Sequence, residues 1–248
     1  MLIDVHAHLH FEQFKKDLDR VIERAHKSGV VAIINSGTDH EGNIASLELA
    51  RKYDIVKASF GVYPTRAIAV SEKELGNELL FIEKNKKGIA AIGEVGLDFK
   101  ESQKYEEQKK AFEKIILLAN KIKKPLIIHS REAEREAIEI LEKNVRTKVI
   151  MHCFNGSYKL VKRGVENGWF FSIPPVIVRS MHFQGLVNIV PCEYLLTETD
   201  SPFLAPPGEM RNEPSFVKTA INKMAEIKGL TSEEMEKIVY MNFRKIFG

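Results

Sequence analysis

Apolar residues along the chain follow two spacings, short continuous runs and stripes that recur every three or four positions. Continuous runs are typical of strands buried on both faces of a sheet, whereas stripes are typical of helices with one buried face. Phe112, Ile115, Ile116 and Ala119 form one such stripe, which predicts a helix of about five turns. The runs predict eight strands, at residues 2–5, 30–34, 55–60, 89–92, 125–128, 148–151, 169–173 and 194–199.

A helix is predicted after each strand. The first apolar stripe starts at Phe11, reaches Ala25 and ends near a glycine, which predicts one continuous helix there. A second helix is predicted at about residues 42–53. Residues 71–74 and 231–234 match the capping box, in which a hydroxyl and a glutamate three residues later bind each other's backbone at a helix start.

Side chains of the metal-ligand type stand at or just past the ends of five predicted strands. His6 and His8 follow the first strand, and because alternate side chains of a strand share a face, both imidazoles can reach one ion. The later strands are followed by Glu94, His129, His152 and Asp200. Any one of these could instead be a polar cap, a solvated loop carboxylate or a hydrogen-bonded core histidine. The repetition of one structural position favours a shared metal site.

Eight strand–helix units in 248 residues, with no linker or low-complexity segment, favour a single-domain (β/α)8 TIM-type barrel over residues 1–248. A doubly wound open α/β sheet is the alternative. In a barrel the carboxyl ends of all strands surround one mouth, whereas an open sheet keeps its first and last strands far apart. Candidate ligands follow both the first and the last strand, and this favours the barrel.

Composition and charge point to an ordinary globular protein, with 44% hydrophobic and 29% charged residues. The net charge of +3 does not indicate a dedicated nucleic-acid binder, but it does not oppose a polyanionic substrate. Two cysteines are too few for a disulfide framework, and the first strand leaves no room for a cleavable signal peptide. No apolar run approaches the ~20 residues that span a bilayer. We therefore expect a cytoplasmic protein with no membrane association and no obligate protein partner.

Imidazoles and carboxylates without thiolates suit Zn²⁺, Mn²⁺, Fe²⁺ or Mg²⁺ and argue against a structural zinc site. A carboxylate between two histidine groups can bridge two ions about 3.5–4 Å apart, and such a pair lowers the pKa of a bound water towards ~7. Asp200 is then suited to accept the water's proton or to orient it. The chain has no Walker phosphate loop, no dinucleotide fingerprint and no convincing serine triad. The sequence predicts metal-assisted hydrolysis, with Asp200 and Glu94 as catalytic residues.

Six collinear motifs resemble the TatD-type metal-dependent hydrolases of the amidohydrolase superfamily. They are Asp4-Val5-His6-Ala7-His8-Leu9, Gly93-Glu94-Val95-Gly96-Leu97-Asp98, Pro125-Leu126-Ile127-Ile128-His129-Ser130-Arg131, His152-Cys153-Phe154-Asn155-Gly156, Thr197-Glu198-Thr199-Asp200-Ser201-Pro202 and Arg211-Asn212-Glu213-Pro214. The resemblance covers essentially the whole chain. It implies a (β/α)8 barrel and a metal-dependent deoxyribonuclease, typically a 3′-to-5′ exonuclease, with DNA as substrate and two divalent ions (Mg, Mn or Zn) as cofactors.

The resemblance also implies a role for each candidate residue. One ion is held by His6, His8 and Asp200. Glu94 bridges to a second ion, which His129 and His152 hold or flank. Candidates for contacts with the substrate are Arg131, Asn155 and Arg211.

Two positions depart from the family pattern, and both concern the substrate pocket. The family usually has Gly-x-His-Pro-His after the third strand, but residues 61–65 of this chain read Gly-Val-Tyr-Pro-Thr, so that both histidines are absent. Tyr63 can stack on a base or donate to a phosphate. Asn155 stands where serine is usual. Three hypotheses therefore stay open: hydrolysis of DNA, hydrolysis of a small amide, lactone or ester, and metal binding without turnover.

Overall fold

The computed structural model describes all 248 residues and places eight strands in one sheet. Each predicted run overlaps one strand. The strands are β1 Leu2–Ala7, β2 Val30–Ser36, β3 Val56–Phe60, β4 Ile89–Asp98, β5 Leu126–Arg131, β6 Val149–Met151, β7 Phe170–Ile173 and β8 Leu195–Thr197.

The sheet closes on itself. Each strand pairs in parallel with the next one along the chain, from β1 to β8. The segment after β8 then returns to β1, where the Asp200 amide donates to the His6 carbonyl over 2.9 Å and the His8 amide donates to the Ser201 carbonyl over 2.8 Å. The first and last strands are therefore neighbours, which confirms the (β/α)8 barrel and excludes the open sheet.

Helices cover the outside of the barrel. Their bounds are α1 Leu18–Lys27, α2 His40–Lys52, α3 Pro64–Ala67, α4 Glu72–Lys84, α5 Tyr105–Ile122, α6 Glu134–Asn144, α7 Tyr158–Glu166, α8 Met181–Ile189, α9 Val217–Lys228 and α10 Ser232–Phe247. Both predicted capping boxes are present, at the starts of α4 and α10. None of these helices combines the length and the apolarity that crossing a membrane needs.

The continuous helix predicted from Phe11 is wrong in its first half. The chain forms only a short 3-10 turn at Glu12–Phe14, and α1 begins at Leu18. Phe11 lines the cleft at the barrel mouth, whereas Phe14 is buried with its ring under the Arg211 guanidinium. The helical spacing of these two rings therefore comes from two separate contacts and not from one buried helix face.

Strand β4 is longer than its apolar run predicts. Beyond Ile92 it stays paired with β5, with Val95 opposite Ile128, and the register shifts between Ile92 and Val95. Glu94 therefore lies inside the strand and not in a loop after it. The polar side chain of Glu94 interrupts the apolar run in the sequence, but the pairing of β4 with β5 continues beyond it.

The core fills the barrel interior and the layer between strands and helices. Ile3 on β1, Ile33 on β2 and Ile92 on β4 have no exposed surface. Burying one such side chain stabilises the fold by roughly 1.5–3 kcal/mol. This packing gives the strand ends a rigid base from which polar side chains reach the mouth.

Candidate metal centre

A cleft of about 710 Å³ opens at the carboxyl ends of the strands. This volume lies within the range of about 300–1,000 Å³ that small-ligand pockets have. Five of the six predicted ligands line the cleft, and the sixth, His6, is fully buried directly beneath it. The lining ligands are His8, Glu94, His129, His152 and Asp200.

Four donor atoms form one compact group, and they come from β1, the residue just after it, β4 and the segment after β8. The Nε2 atoms of His6 and His8 lie 3.1 Å apart. Glu94 Oε2 is 3.5 Å from His6 Nε2 and 3.3 Å from His8 Nε2. Asp200 Oδ1 is 3.4 Å and 3.5 Å from the same two nitrogens. The opening histidine pair, Glu94 and Asp200 thus meet although they are distant along the chain.

The other oxygen of Glu94 faces a second histidine pair. Glu94 Oε1 is 2.7 Å from His129 Nδ1 and 3.7 Å from His152 Nε2. The imidazoles of His6 and His152 stack with their centroids 3.8 Å apart, so the two pairs adjoin. The Glu94 carboxylate therefore lies between two pairs of imidazoles, with one oxygen turned to each pair.

The donor set fits divalent ions. Ligands held 2.0–2.2 Å from one ion in tetrahedral directions lie about 3.4 Å apart, close to the spacings in the first group. Three sets of side chains bring their ligand atoms within 4.8 Å of one another: His6 with His8 and Glu94, Glu94 with His129 and His152, and His6 with His152 and Asp200. Glu94 belongs to two of these sets, as a bridging carboxylate requires.

Hydrogen bonds at the outer ring nitrogens orient the histidines. His8 Nδ1 donates to the Ser36 carbonyl over 2.8 Å. A carbonyl can only accept, so Nδ1 carries a proton, and once the imidazole is neutral its Nε2 lone pair is turned to the site. Two other imidazoles have buried carboxylate partners, His152 Nδ1 with Glu198 at 2.7 Å and His129 Nε2 with Asp98 at 3.0 Å. Metal-ligating histidines are typically oriented by such partners.

Three supporting carboxylates, Glu198, Asp98 and Asp4, were not predicted as part of the site. Asp4 is fully buried and accepts from the Thr199 hydroxyl over 2.6 Å, which ties β1 to the segment that carries Asp200. Each of the three lies within a motif that already contains a ligand. The available signal was an acidic residue within an apolar strand, because a buried carboxylate needs partners.

Glycines give the Glu94 backbone its close neighbours. A Cβ on Gly61 would collide with the backbone nitrogen and oxygen of Glu94. Gly96, at φ 143°, would place a Cβ against the His129 carbonyl oxygen. The chain can therefore bring the carboxylate and His129 together only with glycine at these two positions.

The electrostatics of the cluster favour a bound cation. Burial alone would lower the pKa of His8, but hydrogen bonds with Asp200 and Glu94 outweigh burial and raise that pKa to about 10. Burial likewise lowers the pKa of His129, yet the charges of Glu94 and Asp98 raise it to about 9. Burial raises the pKa of Glu94, but the charged His129 holds it well below its ordinary value. Protons on the imidazoles here balance buried carboxylates, and divalent ions can take over that role.

The predicted substrate contacts divide into two groups. Tyr63, Arg131 and Asn155 line the cleft. The Tyr63 hydroxyl donates to Asp98 over 2.6 Å and lies 3.2 Å from His129 Nε2. Burial and the hydrogen bond to Asp98 raise the pKa of Tyr63 far above its ordinary value, so the phenol stays a neutral donor.

Arg211 does not line the cleft, in contrast to its predicted role as a substrate contact. Its two terminal nitrogens pair with the Asp17 carboxylate at 2.8 and 2.7 Å. The guanidinium carbon lies 4.6 Å from the centre of the Phe14 ring. Arg211 therefore anchors the segment after β8 to the start of α1, because its partners lie on that helix side.

Comparison with known proteins gives matches along the whole chain. The profile of a family described as TatD related DNase matches residues 3–248. Deoxyribonuclease TATDN3 of Homo sapiens is 36% identical over 259 residues, covering 99% of this chain and 94% of that protein. The 3′-5′ ssDNA/RNA exonuclease TatD of Salmonella typhimurium is 28% identical over 258 residues, covering 99% and 98%.

The crystal structure of YjjV, a TatD homologue from Escherichia coli, is similar over nearly its full length. The TM-score is 0.91 at 26% sequence identity, with 99% of this chain and 97% of that chain covered. The similarity therefore extends to the arrangement of all eight strand–helix units and is not confined to the motifs.

Proposed function

The chain belongs to the TatD-related DNase family, and from that premise we propose that it is a divalent-metal-dependent deoxyribonuclease. The proposed reaction is hydrolysis of DNA phosphodiesters from the 3′ end. The observation that carries the proposal is the Glu94 carboxylate, whose oxygens lie 3.3 Å from His8 Nε2 on one side and 2.7 Å from His129 Nδ1 on the other.

We propose two ion positions that share Glu94. One is formed by His6, His8 and Asp200, and the other by His129 and His152. Mg²⁺, Mn²⁺ and Zn²⁺ are the candidate ions, since the donors are imidazoles and carboxylates. When bound, such ions supply Lewis acidity towards the phosphate and lower the pKa of water.

The chain's own residues then position the reactants. The pKa of Asp200 is lowered, because the charge of His152 and hydrogen bonds with His6 and His8 outweigh burial. Asp200 therefore stays ionised and can orient the attacking water by accepting its hydrogen bond. Arg131 lies at the rim, where its forked donors match the geometry of a phosphate. Asn155 can add a neutral donor, because only one of its two amide hydrogens is donated to the Cys153 carbonyl. The single hydroxyl proton of Tyr63 is donated to Asp98, so Tyr63 offers its ring as a surface for stacking.

The names of the relatives suggest the substrate and the direction in which it is degraded. The human relative is called a deoxyribonuclease, and the Salmonella relative is called a 3′-5′ exonuclease acting on single-stranded DNA and RNA. We extend 3′-to-5′ action on DNA to this chain as part of the proposal. We also propose a reducing compartment such as the cytoplasm, since Cys153 and Cys192 are both free thiols.

The direct test uses single- and double-stranded DNA labelled at either end, incubated with the purified protein and Mg²⁺, Mn²⁺ or Zn²⁺. We expect stepwise shortening from the 3′ end that EDTA abolishes. Asp200→Asn should lose this activity while keeping the fold, by circular dichroism. Asp54→Asn, the same change at an exposed position, should behave as wild type.

A panel of small esters, lactones and amides is run beside the DNA substrates. Metal-dependent turnover of that panel with intact DNA would replace the proposed substrate class. No turnover of any substrate by the metal-loaded protein would favour a metal-binding protein that is not an enzyme.

A further inference from the structure

A column of aromatic rings leads outward from the candidate metal centre. The imidazole of His8 stacks on Phe11 with centroids 4.7 Å apart and an angle of 11° between the rings. Phe203 meets Phe11 edge to face, with centroids 6.1 Å apart. Phe203 is 49% exposed, and it alone among the large exposed hydrophobic side chains lines the cleft. A flat apolar ring is therefore presented to solvent beside the reacting groups.

Hydrogen bonds hold Phe203 in place. Its amide donates to the Asp200 carbonyl over 2.9 Å, in the turn that follows the ligand. Asn212 is fully buried and fastens the same turn. Its backbone amide donates to the Pro202 carbonyl over 3.1 Å, and its side chain donates to the Leu204 carbonyl over 3.1 Å. Little ordering of this segment is then needed when a ligand binds.

The opposite side of the cleft carries two arginines, each with a carboxylate nearby: Arg66 donates to Asp39 over 3.3 Å, and Arg131 lies 3.9 Å from Glu101. Arg66 follows β3 and Arg131 ends β5, and both line the cleft. Phe11 follows β1 and Phe203 follows β8. In a closed barrel of eight strands in sequence order, the β8–β1 side faces the β4–β5 side. The mouth therefore has an aromatic side and a side with two guanidinium groups, and Glu94 lines the same cleft.

This division matches the two parts of a nucleotide. A nucleobase has an apolar face that stacks on aromatic rings, whereas the phosphates pair with arginine. We propose that Phe203, backed by Phe11, is a stacking platform for an unpaired nucleobase next to the reacting phosphodiester of single-stranded DNA. This inference rests on the proposed function and adds to it a base-binding subsite. In duplex DNA the terminal base is already stacked and paired, so the platform favours frayed or single-stranded ends.

The test compares two oligonucleotides of one sequence, one intact and one whose last two residues at each end are stable abasic analogues. With Mn²⁺ bound, wild-type kcat/KM should be about 5- to 150-fold lower on the abasic oligonucleotide, the range for losing one base–aromatic stack. Phe203→Ala should lose a similar factor on the intact oligonucleotide, mainly through KM, and should match wild type on the abasic one. Phe203→Trp should restore the preference for bases. Met210→Ala, in the same segment and fully exposed, is the matched control and should behave as wild type.

Binding gives an independent readout. An oligonucleotide ending in 2-aminopurine should lose fluorescence when bound by Asp200→Asn, and should keep it when bound by Asp200→Asn with Phe203→Ala. Equal discrimination between the two oligonucleotides in wild type and in Phe203→Ala would overturn the platform. Cleavage of both oligonucleotides by wild type at one rate would also overturn it and would leave the nuclease proposal standing. Failure of wild type to cleave either one would overturn both proposals.

Discussion

Glu198→Gln is the substitution that most sharply separates a metal centre from a merely polar pocket. Glu198 is fully buried beside the cluster. Its Oε2 accepts from His152 Nδ1 over 2.7 Å and from the Ser172 hydroxyl over 2.6 Å. Its Oε1 accepts from the Cys153 amide over 2.8 Å. Glutamine keeps the volume of the side chain but replaces one acceptor oxygen by a donor.

The structure leaves the new amide two placements, and both are unfavourable. If its oxygen keeps the Cys153 bond, its NH₂ faces His152, which must move its proton to Nε2 and can no longer offer that nitrogen to an ion. If its NH₂ faces Cys153 instead, two buried donors oppose each other at a cost of about 1–3 kcal/mol. We therefore expect metal affinity at the His129–His152 position to fall about 10- to 100-fold, the usual effect of removing a partner that orients a ligand.

The assay is a competition titration of the metal-free protein with Zn²⁺ or Mn²⁺ against a chromophoric chelator. Nitrogen-15 NMR of the imidazoles reports the tautomer of His152 in the same samples. Ser172→Ala is the control, since it removes one hydrogen bond to Glu198 without touching His152, and it should keep wild-type affinity. Unchanged affinity in Glu198→Gln, or affinity lost equally in Ser172→Ala, would refute the reasoning.

Two further predictions follow from the charges. Arg211→Ala should lower the free energy of unfolding by about 1 kcal/mol in denaturant titration, because its ion pair with Asp17 is partly exposed, and kcat should not change. A large loss of kcat would instead support the predicted contact between Arg211 and the substrate. The pKa values of His8, about 10, and His129, about 9, keep both imidazoles charged near neutral pH. Without metal they stabilise the fold fully below pH ~6.5, and this contribution is lost as pH rises through those pKa values. Metal binding near neutral pH should therefore release up to two protons, seen by calorimetry in buffers of different ionisation enthalpy; buffer-independent heats would contradict this.

The barrel and the ligand cluster could be predicted because they follow from local patterns. Eight apolar runs, each followed by a helical stripe, leave little choice of architecture. The closure between His6 and Asp200 then brings the first and last strand ends together. Since each candidate ligand follows an apolar run on its strand, a closed barrel is enough to gather them at one end. The meeting of His8 and His129 at the two oxygens of Glu94 needed no knowledge of loops.

The orienting carboxylates could not be assigned from the sequence because their pairing depends on distances between strands. Glu198 serves His152, 46 residues away, and Asp98 serves His129, 31 residues away. Nothing along the chain says which buried acid meets which imidazole. The register shift in β4, which keeps Glu94 inside the strand, is likewise a property of its pairing with β5.

Arg211 and Phe203 illustrate a second limit. Both lie in the segment after β8, whose path is determined by hydrogen bonds such as those of Asn212 and not by any periodic pattern. That path turns Arg211 towards Asp17 and Phe203 towards the cleft. A motif therefore indicated that this segment matters, but only the fold shows which of its side chains reaches the site.

The most direct measurement of the central claim is anomalous diffraction from crystals of the protein grown with Mn²⁺ or Zn²⁺. We expect two anomalous peaks about 3.5–4 Å apart, one on each side of the Glu94 carboxylate, with His8 beside one and His129 beside the other. A single peak that does not touch Glu94, or no peak in the cleft at all, would contradict the shared metal centre on which the proposed function depends.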